Sequence, residues 1–289
     1  AMTKQEIYDL IYDRPDQYRP MLESQSALLE VTCGCNYAGC AFCATAQEKY
    51  FAYDEEDTEK QSRLLSHVIE DNDRMFLLGG SPFCLPTAKL LRIFDMIHKY
   101  LPSVEEISMH ARAADINRKA WLDVLSLKEA GLKDLHVGFE SGSDRVLALH
   151  NKGETAFDIY RALDTLESCE IGHHLTVILG MGGRDHSREH ALMTAEALGR
   201  VHPDSIWAMP LSIWPGTPLY RMAENGSFKQ MTPVELLREE RLLIENTDMK
   251  RDCLFIDPLA LNKYTLSGRL PSLKEDMIAN IDILLEQEK

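Results

Sequence analysis

Along most of the chain, short apolar runs alternate with longer stretches in which apolar residues recur at helical spacing. Short apolar runs that end at turn residues predict buried strands, whereas apolar residues three or four positions apart predict amphipathic helices. The predicted strands are residues 27–32, 75–78, 106–109, 134–139, 174–179 and 205–210. The predicted helices are residues 64–69, 87–100, 119–130, 155–169, 187–201, 232–247 and 273–288. This succession of strand and helix predicts an α/β fold.

Composition and charge exclude several classes of protein. The 289 residues are 45% hydrophobic and 27% charged, which is ordinary for a globular chain and not for a disordered or collagenous one. The 31 basic residues against 46 acidic ones give a net charge of −15, which argues against a nucleic-acid partner or an anionic membrane surface. No apolar run reaches the roughly 18 residues of a membrane-spanning helix. The first residues show no signal-peptide pattern, so we expect a cytoplasmic location.

The cysteines are the most informative candidates for chemistry. Four of the seven, Cys33, Cys35, Cys40 and Cys43, fall within eleven residues. Thiolates clustered at such short spacing are typical of zinc or iron–sulfur sites, and an odd number of cysteines does not suggest a disulfide framework. No second pair of Cys or His follows at the distance that a zinc finger requires. Three thiolates would leave one iron of a four-iron cluster open, and Cys33 is a further candidate ligand.

The loop resembles that of the radical S-adenosylmethionine enzymes. Cys35, Cys40 and Cys43 are separated by gaps of four and two residues, and Phe42 precedes the third cysteine. The usual loop has gaps of three and two with an aromatic residue in the same place. The resemblance covers roughly residues 18–254 and extends to small members similar to oxygen-independent coproporphyrinogen oxidases and Elongator-type proteins. It implies that the three cysteines bind a [4Fe-4S] cluster and that S-adenosylmethionine binds the open iron.

The resemblance also implies an architecture. We expect a partial (β/α)6 barrel of the TIM type with a C-terminal extension. The expected divisions are a lead-in over residues 1–26, the barrel over 27–230 and a helical extension over 231–289 that packs on the barrel. Active sites of such barrels lie at the carboxyl ends of the strands, so the residues there are the candidates for binding the cofactor.

The candidate cofactor-binding residues are Phe42, Gly79, Gly80, Ser81, Arg112, Glu140, Thr176 and Met209. Paired glycines allow a close backbone approach to the cofactor, although many such pairs are simple turns. Ser81 stands where the family usually has an acidic residue. Glu140 suits a ribose hydroxyl or an ammonium group, and a helix-start role is the alternative. Arg112 suits a carboxylate, with a structural ion pair as the alternative.

Three further residues are weaker candidates. Arg184 follows a pair of glycines and suits either an anion or a structural ion pair. His186 and His190 are four residues apart and could share a helix face as metal ligands, but a solvated helix start explains them more simply.

The implied function is radical chemistry. One electron, from a low-potential donor such as flavodoxin or ferredoxin, would cleave S-adenosylmethionine under anaerobic conditions. The resulting 5′-deoxyadenosyl radical would abstract hydrogen from a substrate. We favour a small molecule over a peptide or RNA, because the chain shows no cobalamin domain, no cysteines for a second cluster and no RNA-binding domain. The sequence assigns no catalytic side chain. The alternatives are a zinc or iron–sulfur protein without enzymatic activity and a catalytically silent barrel that binds S-adenosylmethionine.

Overall fold

The computed structural model describes residues 2–14, 18–69 and 71–289, and its centre is an eight-stranded sheet. The strands are β1 (Ala27–Glu30), β2 (Thr32–Cys33), β3 (Phe51–Ala52), β4 (Arg74–Leu78), β5 (Glu106–Ala111), β6 (Leu132–Glu140), β7 (Gly172–Leu179), β8 (Ser205–Pro210), β9 (Cys253–Ala260) and β10 (Tyr264–Leu270). The sheet order is β1-β4-β5-β6-β7-β8-β9-β10, while β2 and β3 form a separate antiparallel pair. All neighbours in the large sheet are parallel except β9 and β10. The six predicted strands are confirmed.

The helices fall mainly between consecutive strands, as the alternation predicts. They are α1 (Lys4–Ile11), α2 (Glu55–Leu65), α3 (Thr87–Tyr100), α4 (Ala113–Asn117), α5 (Trp121–Glu129), α6 (Asp144–Leu149), α7 (Ala156–Ser168), α8 (Gly183–Leu198), α9 (Pro218–Glu224), α10 (Pro233–Asn246) and α11 (Lys274–Gln287). Local side chains fix several starts: Thr155 and Thr232 form capping boxes with Asp158 and Glu235. No helix in the described ranges is long and apolar enough to cross a membrane.

Strands β5, β6 and β7 carry most of their polar residues on one face and apolar residues on the other. On β6, the apolar positions Leu135, Val137 and Phe139 are fully buried in the main core together with helix residues. Asp134 and His136 alternate with them and therefore face the opposite side, which we call the lumen. Because the helices cover the apolar face, the polar positions of neighbouring strands are gathered on the lumen side. β1 and β10 are the edges of the described sheet, so the barrel is partial, as expected for the TIM-type arrangement.

The C-terminal region differs from the expected helical extension. It contains α10 and α11, but β9 and β10 lie between them. β9 continues the parallel sheet by pairing with β8, and β10 returns as an antiparallel edge strand. The segment of β9 contains Asp257 and Pro258, two residue types that are depleted in strands, so its local pattern did not indicate a strand.

Candidate functional site

The loop that carries the cysteines lies between β2 and β3 and is tied to three other parts of the chain. The Ala41 N–H donates to the His150 carbonyl over 2.8 Å, and the Leu219 N–H donates to the Ala41 carbonyl over 2.9 Å. The Gly80 N–H donates to the Gly34 carbonyl over 3.0 Å. Segments that follow β4, α6 and β8 therefore hold the backbone of this loop, at the carboxyl ends of the strands.

The loop brings three thiols into a largely buried environment. Cys35 and Cys40 are buried and Cys43 is partly buried. Burial raises the pKa of the Cys35 thiol and raises that of Cys40 to about 11, although the cations Lys152 and Arg112 oppose both shifts. Thiols with raised pKa are protonated at neutral pH, so a metal that binds here must displace protons. Metal loading of this loop is therefore expected to strengthen as pH rises.

The cysteine sulfurs of the loop do not form a closed group of three metal ligands in this structure. Thiolates around a tetrahedral zinc lie about 3.8 Å from one another. Within the described part of the chain, the one group of three or more ligand atoms that lie within 4.8 Å of each other contains no cysteine. Separated thiolates suit a cluster in which each binds a different iron, so the donor set fits an iron–sulfur cluster better than zinc. Cys33 lies by Arg14 and Glu48.

The turn after β4 packs directly against the cysteine loop. Gly79 has φ +145°, and a Cβ on it would lie 1.9 Å from Thr32 Oγ1. A Cβ on Gly80 would lie 2.7 Å from the Cβ of Cys35. Both positions therefore require glycine. The Ser81 hydroxyl donates to Asp115 Oδ2 over 2.8 Å and accepts the backbone N–H that follows β5, so its hydrogen bonds stay within the protein.

Four buried charged side chains, the charged quartet (Arg112, Glu140, Lys152 and Glu154), lie beside this loop. Lys152 Nζ is 3.3 Å from Glu140 Oε1 and 3.8 Å from Glu154 Oε2. Arg112 Nη2 is 3.4 Å from Glu154 Oε1, and its guanidinium lies 4.0 Å from the centre of the Tyr37 ring. Glu140 Oε2, Glu154 Oε2 and Arg112 Nε are buried without a hydrogen-bond partner. Arg112 therefore makes the structural ion pair and still has a donor to offer.

The backbone of Glu140 is held in a strained conformation. Its φ is +62°, in the left-handed region that a residue with a side chain seldom adopts. Burial raises the pKa of its carboxyl, and the Lys152 ammonium opposes that rise. Burial acts to lower the pKa of Lys152, but the carboxylates of Glu140 and Glu154 outweigh it and raise this pKa. Backbone strain of this kind is concentrated at binding sites, where the surrounding structure enforces it.

The remaining predicted cofactor residues, Phe42, Thr176 and Met209, make no side-chain hydrogen bond or ion pair with the quartet among the described contacts. Phe42 meets the His150 ring edge-on at a centroid distance of 5.7 Å and packs on a small apolar cluster, so it anchors the loop. Thr176 on β7 pairs in register with Gly138, and Met209 on β8 pairs with Ile178. Both are half-buried, and strand alternation places Thr176 on the lumen side.

Several residues at the site were not recognised from the sequence. Lys152 and Glu154 complete the quartet, yet they lie in a polar turn after α6 that resembles any surface turn.

The weaker candidates have structural roles. His190, considered as a metal ligand or a solvated residue, is buried, and its Nδ1 lies 2.8 Å from the hydroxyl of Ser141. Arg184 forms the structural ion pair, with its Nε 2.9 Å from Glu235 Oε2.

A second support for the strand ends comes from α10. Glu239 is buried, and its Oε1 accepts the Gly180 N–H over 2.6 Å. The other carboxylate oxygen accepts from the Ser187 hydroxyl, and His190 Nε2 lies 3.7 Å from Oε1. The turns after β6 and β7 are therefore linked through one buried carboxylate and one buried imidazole. Only the three-dimensional packing of α8 and α10 brings these residues together.

Comparisons with known proteins identify relatives of the sequence and of the fold. The chain is 25% identical over 199 residues to the heme chaperone HemW of Bacillus subtilis, covering 65% of this chain and 51% of that protein. Its fold is similar to that of coproporphyrinogen III oxidase (HemN) from Escherichia coli, with a TM-score of 0.59, 16% identity, and coverage of 84% of this chain and 55% of that one. It is also similar to Elp3 of Methanocaldococcus infernus, with a TM-score of 0.53, 16% identity, and coverage of 76% and 54%.

These likenesses confirm the resemblance to coproporphyrinogen-oxidase-like and Elongator-like members. The chain spans about half the length of the curated relative and of both structures. A sequence model described as the Radical SAM superfamily matches residues 29–198, more than half of the chain. The match includes the cysteine loop, the glycine turn and the charged quartet. The chain therefore belongs to the radical S-adenosylmethionine superfamily, whose enzymes bind a [4Fe-4S] cluster and S-adenosylmethionine.

Proposed function

We propose that the chain reductively cleaves S-adenosylmethionine and uses the resulting radical on a small-molecule substrate in the lumen. Cys35, Cys40 and Cys43 are the proposed cluster ligands. When bound, the reduced cluster and S-adenosylmethionine together supply a 5′-deoxyadenosyl radical, which abstracts hydrogen from the substrate. The single observation that carries the proposal is the charged quartet beside the cysteine loop, because three of its buried polar atoms have no hydrogen-bond partner within the protein.

The quartet suits the amino acid end of S-adenosylmethionine. That end is a zwitterion, with one ammonium and one carboxylate. Glu140 Oε2 offers an acceptor for the ammonium or for a ribose hydroxyl, and Arg112 Nε offers a donor for the carboxylate. Two cations and two carboxylates make the quartet neutral overall, so a zwitterion can bind without adding an unbalanced buried charge. Gly79 and Gly80 allow the turn after β4 to pack directly against the cysteine loop beside the quartet.

Lys152 and Arg112 also favour iron binding by the cysteine loop. Each thiol must lose its proton to bind iron, and burial opposes that loss. Lys152 and Arg112 lower the cost, since both act to lower the pKa of Cys35 and Cys40. A role for these cations in both cluster and cofactor binding explains why they are buried instead of exposed on the surface.

The substrate is proposed to lie against the lumen faces of the strands. Thr176 and Met209 are half-buried there, as expected for residues that line a space. The net charge of −15 favours a small molecule over RNA as substrate. The proposed electron donor is a flavodoxin or ferredoxin.

The test is an anaerobic reconstitution followed by a dithionite-driven assay for 5′-deoxyadenosine. We expect the wild-type chain to form the nucleoside and the Cys40→Ala variant to lose it. Cys169→Ala is the matched control, because Cys169 is a buried cysteine at the end of α7, and this variant should keep both cluster and product. A fully loaded cluster that produces no nucleoside would refute reductive cleavage and favour a silent S-adenosylmethionine-binding barrel.

A further inference from the structure

A group of metal-ligand side chains lies deep in the lumen, away from the cysteine loop. One ligand atom from each of Asp134, His136 and His174 lies within 4.8 Å of the others, and among the described residues no other group of three meets this criterion. His136 and His174 face each other across β6 and β7, and Asp134 precedes His136 by two positions on the same face. All three are more than nine-tenths buried. We call them the basal triad.

Neighbouring groups orient both imidazoles. His136 Nε2 lies 2.6 Å from Glu23 Oε1, and His174 Nδ1 lies 2.7 Å from the Ser205 hydroxyl. Metal-binding histidines usually have one ring nitrogen held in this way by a carboxylate or another polar group, which leaves the other nitrogen for the metal. The hydroxyl of Ser205 also accepts the Trp207 indole N–H over 2.9 Å, so its position is fixed.

The separation within the triad suits an ion better than a direct hydrogen bond. His174 Nε2 and Asp134 Oδ2 are 3.6 Å apart, longer than a hydrogen bond. Ligand atoms at about 2.1 Å from a tetrahedral metal lie about 3.4 Å from each other. A small inward movement of the side chains is therefore enough to bring both atoms within bonding distance of one ion.

The charges around the triad leave room for a cation. Arg74 contacts both oxygens of Asp134, at 2.7 and 3.0 Å, and also pairs with Glu23. Each carboxylate oxygen has two lone pairs, so the contacts with Arg74 leave a second lone pair for a metal. The buried carboxylates of Glu23 and Asp134 carry two negative charges against the one positive charge of Arg74. A bound cation or a proton on an imidazole balances the excess.

A fully buried hydroxyl without a partner lies in the same region. Ser108 Oγ has no hydrogen-bond partner, although Ser108 is fully buried. Ser108 pairs in register with Asp134 across β5 and β6, which places both side chains on the lumen face. A buried hydroxyl with no partner is costly, and a ligand on the triad would give it one.

We propose that the basal triad binds a divalent transition-metal ion separate from the cluster. Two imidazoles and one carboxylate are ligands for Fe²⁺, Mn²⁺, Co²⁺ or Zn²⁺, and three protein ligands leave positions open for an oxygen or nitrogen of a substrate. His136 and Glu140 are four residues apart on β6, a rise of about 13 Å. The metal lies below the charged quartet, where it anchors one end of a substrate whose other end faces the cofactor. The metal site itself does not depend on the proposed reaction.

The test counts two metals in one protein. The anaerobically reconstituted chain is equilibrated with Co²⁺ and desalted, and iron and cobalt are measured by elemental analysis. We expect about one cobalt per chain in addition to the cluster iron. His174→Gln should weaken cobalt binding by about 100-fold and keep the iron. Cys40→Ala should lose iron and keep cobalt. His67→Gln, at an exposed histidine, should keep both metals.

Two further readouts do not depend on how well a variant folds. In the wild-type protein, bound Co²⁺ should raise the melting temperature, because a ligand of the folded state stabilises it. The visible absorption that the bound Co²⁺ adds to the spectrum should be that of nitrogen and oxygen ligands, without thiolate-to-cobalt charge transfer. The proposal is overturned if the folded wild-type chain binds no cobalt at millimolar free metal. It is also overturned if the cobalt spectrum shows thiolate ligands or if Cys40→Ala removes the cobalt. In either case a proton on an imidazole balances the excess negative charge of Glu23 and Asp134.

Discussion

Lys152 is the residue on which the charged quartet depends most, and replacing it by methionine tests the electrostatic reasoning. Its ammonium lies between Glu140 and Glu154, at 3.3 and 3.8 Å, and all three side chains are buried. Methionine retains the packing of the stem but leaves the two carboxylates with only Arg112 as a cation. Removing one partner of a buried ion pair costs about 3–5 kcal/mol. At about 2–4 °C per kcal/mol for a chain of this size, the melting temperature should fall by roughly 6–20 °C.

The effect should depend on pH in a defined direction. Burial already raises the folded-state pKa of Glu140, and loss of the Lys152 ammonium removes the main influence that lowers it. A carboxyl with a raised folded-state pKa contributes its full stability below its unfolded pKa and loses it as pH rises through the folded value. The deficit of Lys152→Met relative to wild type should therefore be smaller at acidic pH than at alkaline pH.

Scanning calorimetry under argon on cluster-loaded protein measures both effects. Lys229→Met is the matched control, because Lys229 pairs with Asp185 on the surface and its loss should cost no more than about 1 kcal/mol. The double variant Glu140→Gln/Lys152→Met removes one uncompensated carboxylate and should recover part of the lost stability. The reasoning is wrong if Lys152→Met melts with the control, or if the double variant is no more stable than the single one.

Three further predictions concern the support of the site. Gly80→Ala should lower the cluster iron at least severalfold, because its Cβ would press on Cys35. Gly226→Ala strains the backbone at φ +78° but places its Cβ in open space, so this control should keep the iron. Equal iron in both variants would contradict the packing argument. His190→Leu removes the hydrogen bond to Ser141 in the turn after β6, so it should raise the KM for S-adenosylmethionine about 10-fold at unchanged iron content. An unchanged KM would show that this turn keeps its conformation without His190. Burial raises the pKa of Glu239 to about 7. As pH rises from 4.5 to 8, the free energy of unfolding of the wild type, measured with urea, should therefore fall by up to about 3 kcal/mol relative to that of Glu239→Gln. If the two free energies change in parallel with pH, the raised pKa is refuted.

The elements that a local pattern encodes could be predicted from the sequence. β6 is an example: its apolar positions, its ending at a turn and its place between two helices are all visible in consecutive residues. The cysteine loop is equally local, since its spacing and Phe42 lie within nine residues. β9 was missed because Asp257 and Pro258 interrupt its pattern, and its stability comes from pairing with β8.

The parts of the site that could not be predicted depend on residues far apart in the chain. Lys152 lies forty residues from Arg112, and nothing in its own surroundings distinguishes it from a solvated lysine. Glu239 reaches Gly180 only because α10 packs across α8. The sequence reveals the ligands that are clustered along the chain. It does not reveal the charges that are clustered only in space.

The position of Glu23 gives the lead-in a role in defining the unit that folds. Glu23 precedes β1 and lies outside the span matched by the superfamily model, yet its carboxylate is fully buried against Arg74 and His136. A shortened chain that began at residue 29 would keep the recognisable family segment but would lose the carboxylate that contacts both Arg74 and His136. Family boundaries drawn by sequence similarity therefore cut through one buried cluster of charged side chains, and the packed structure begins before the matched span.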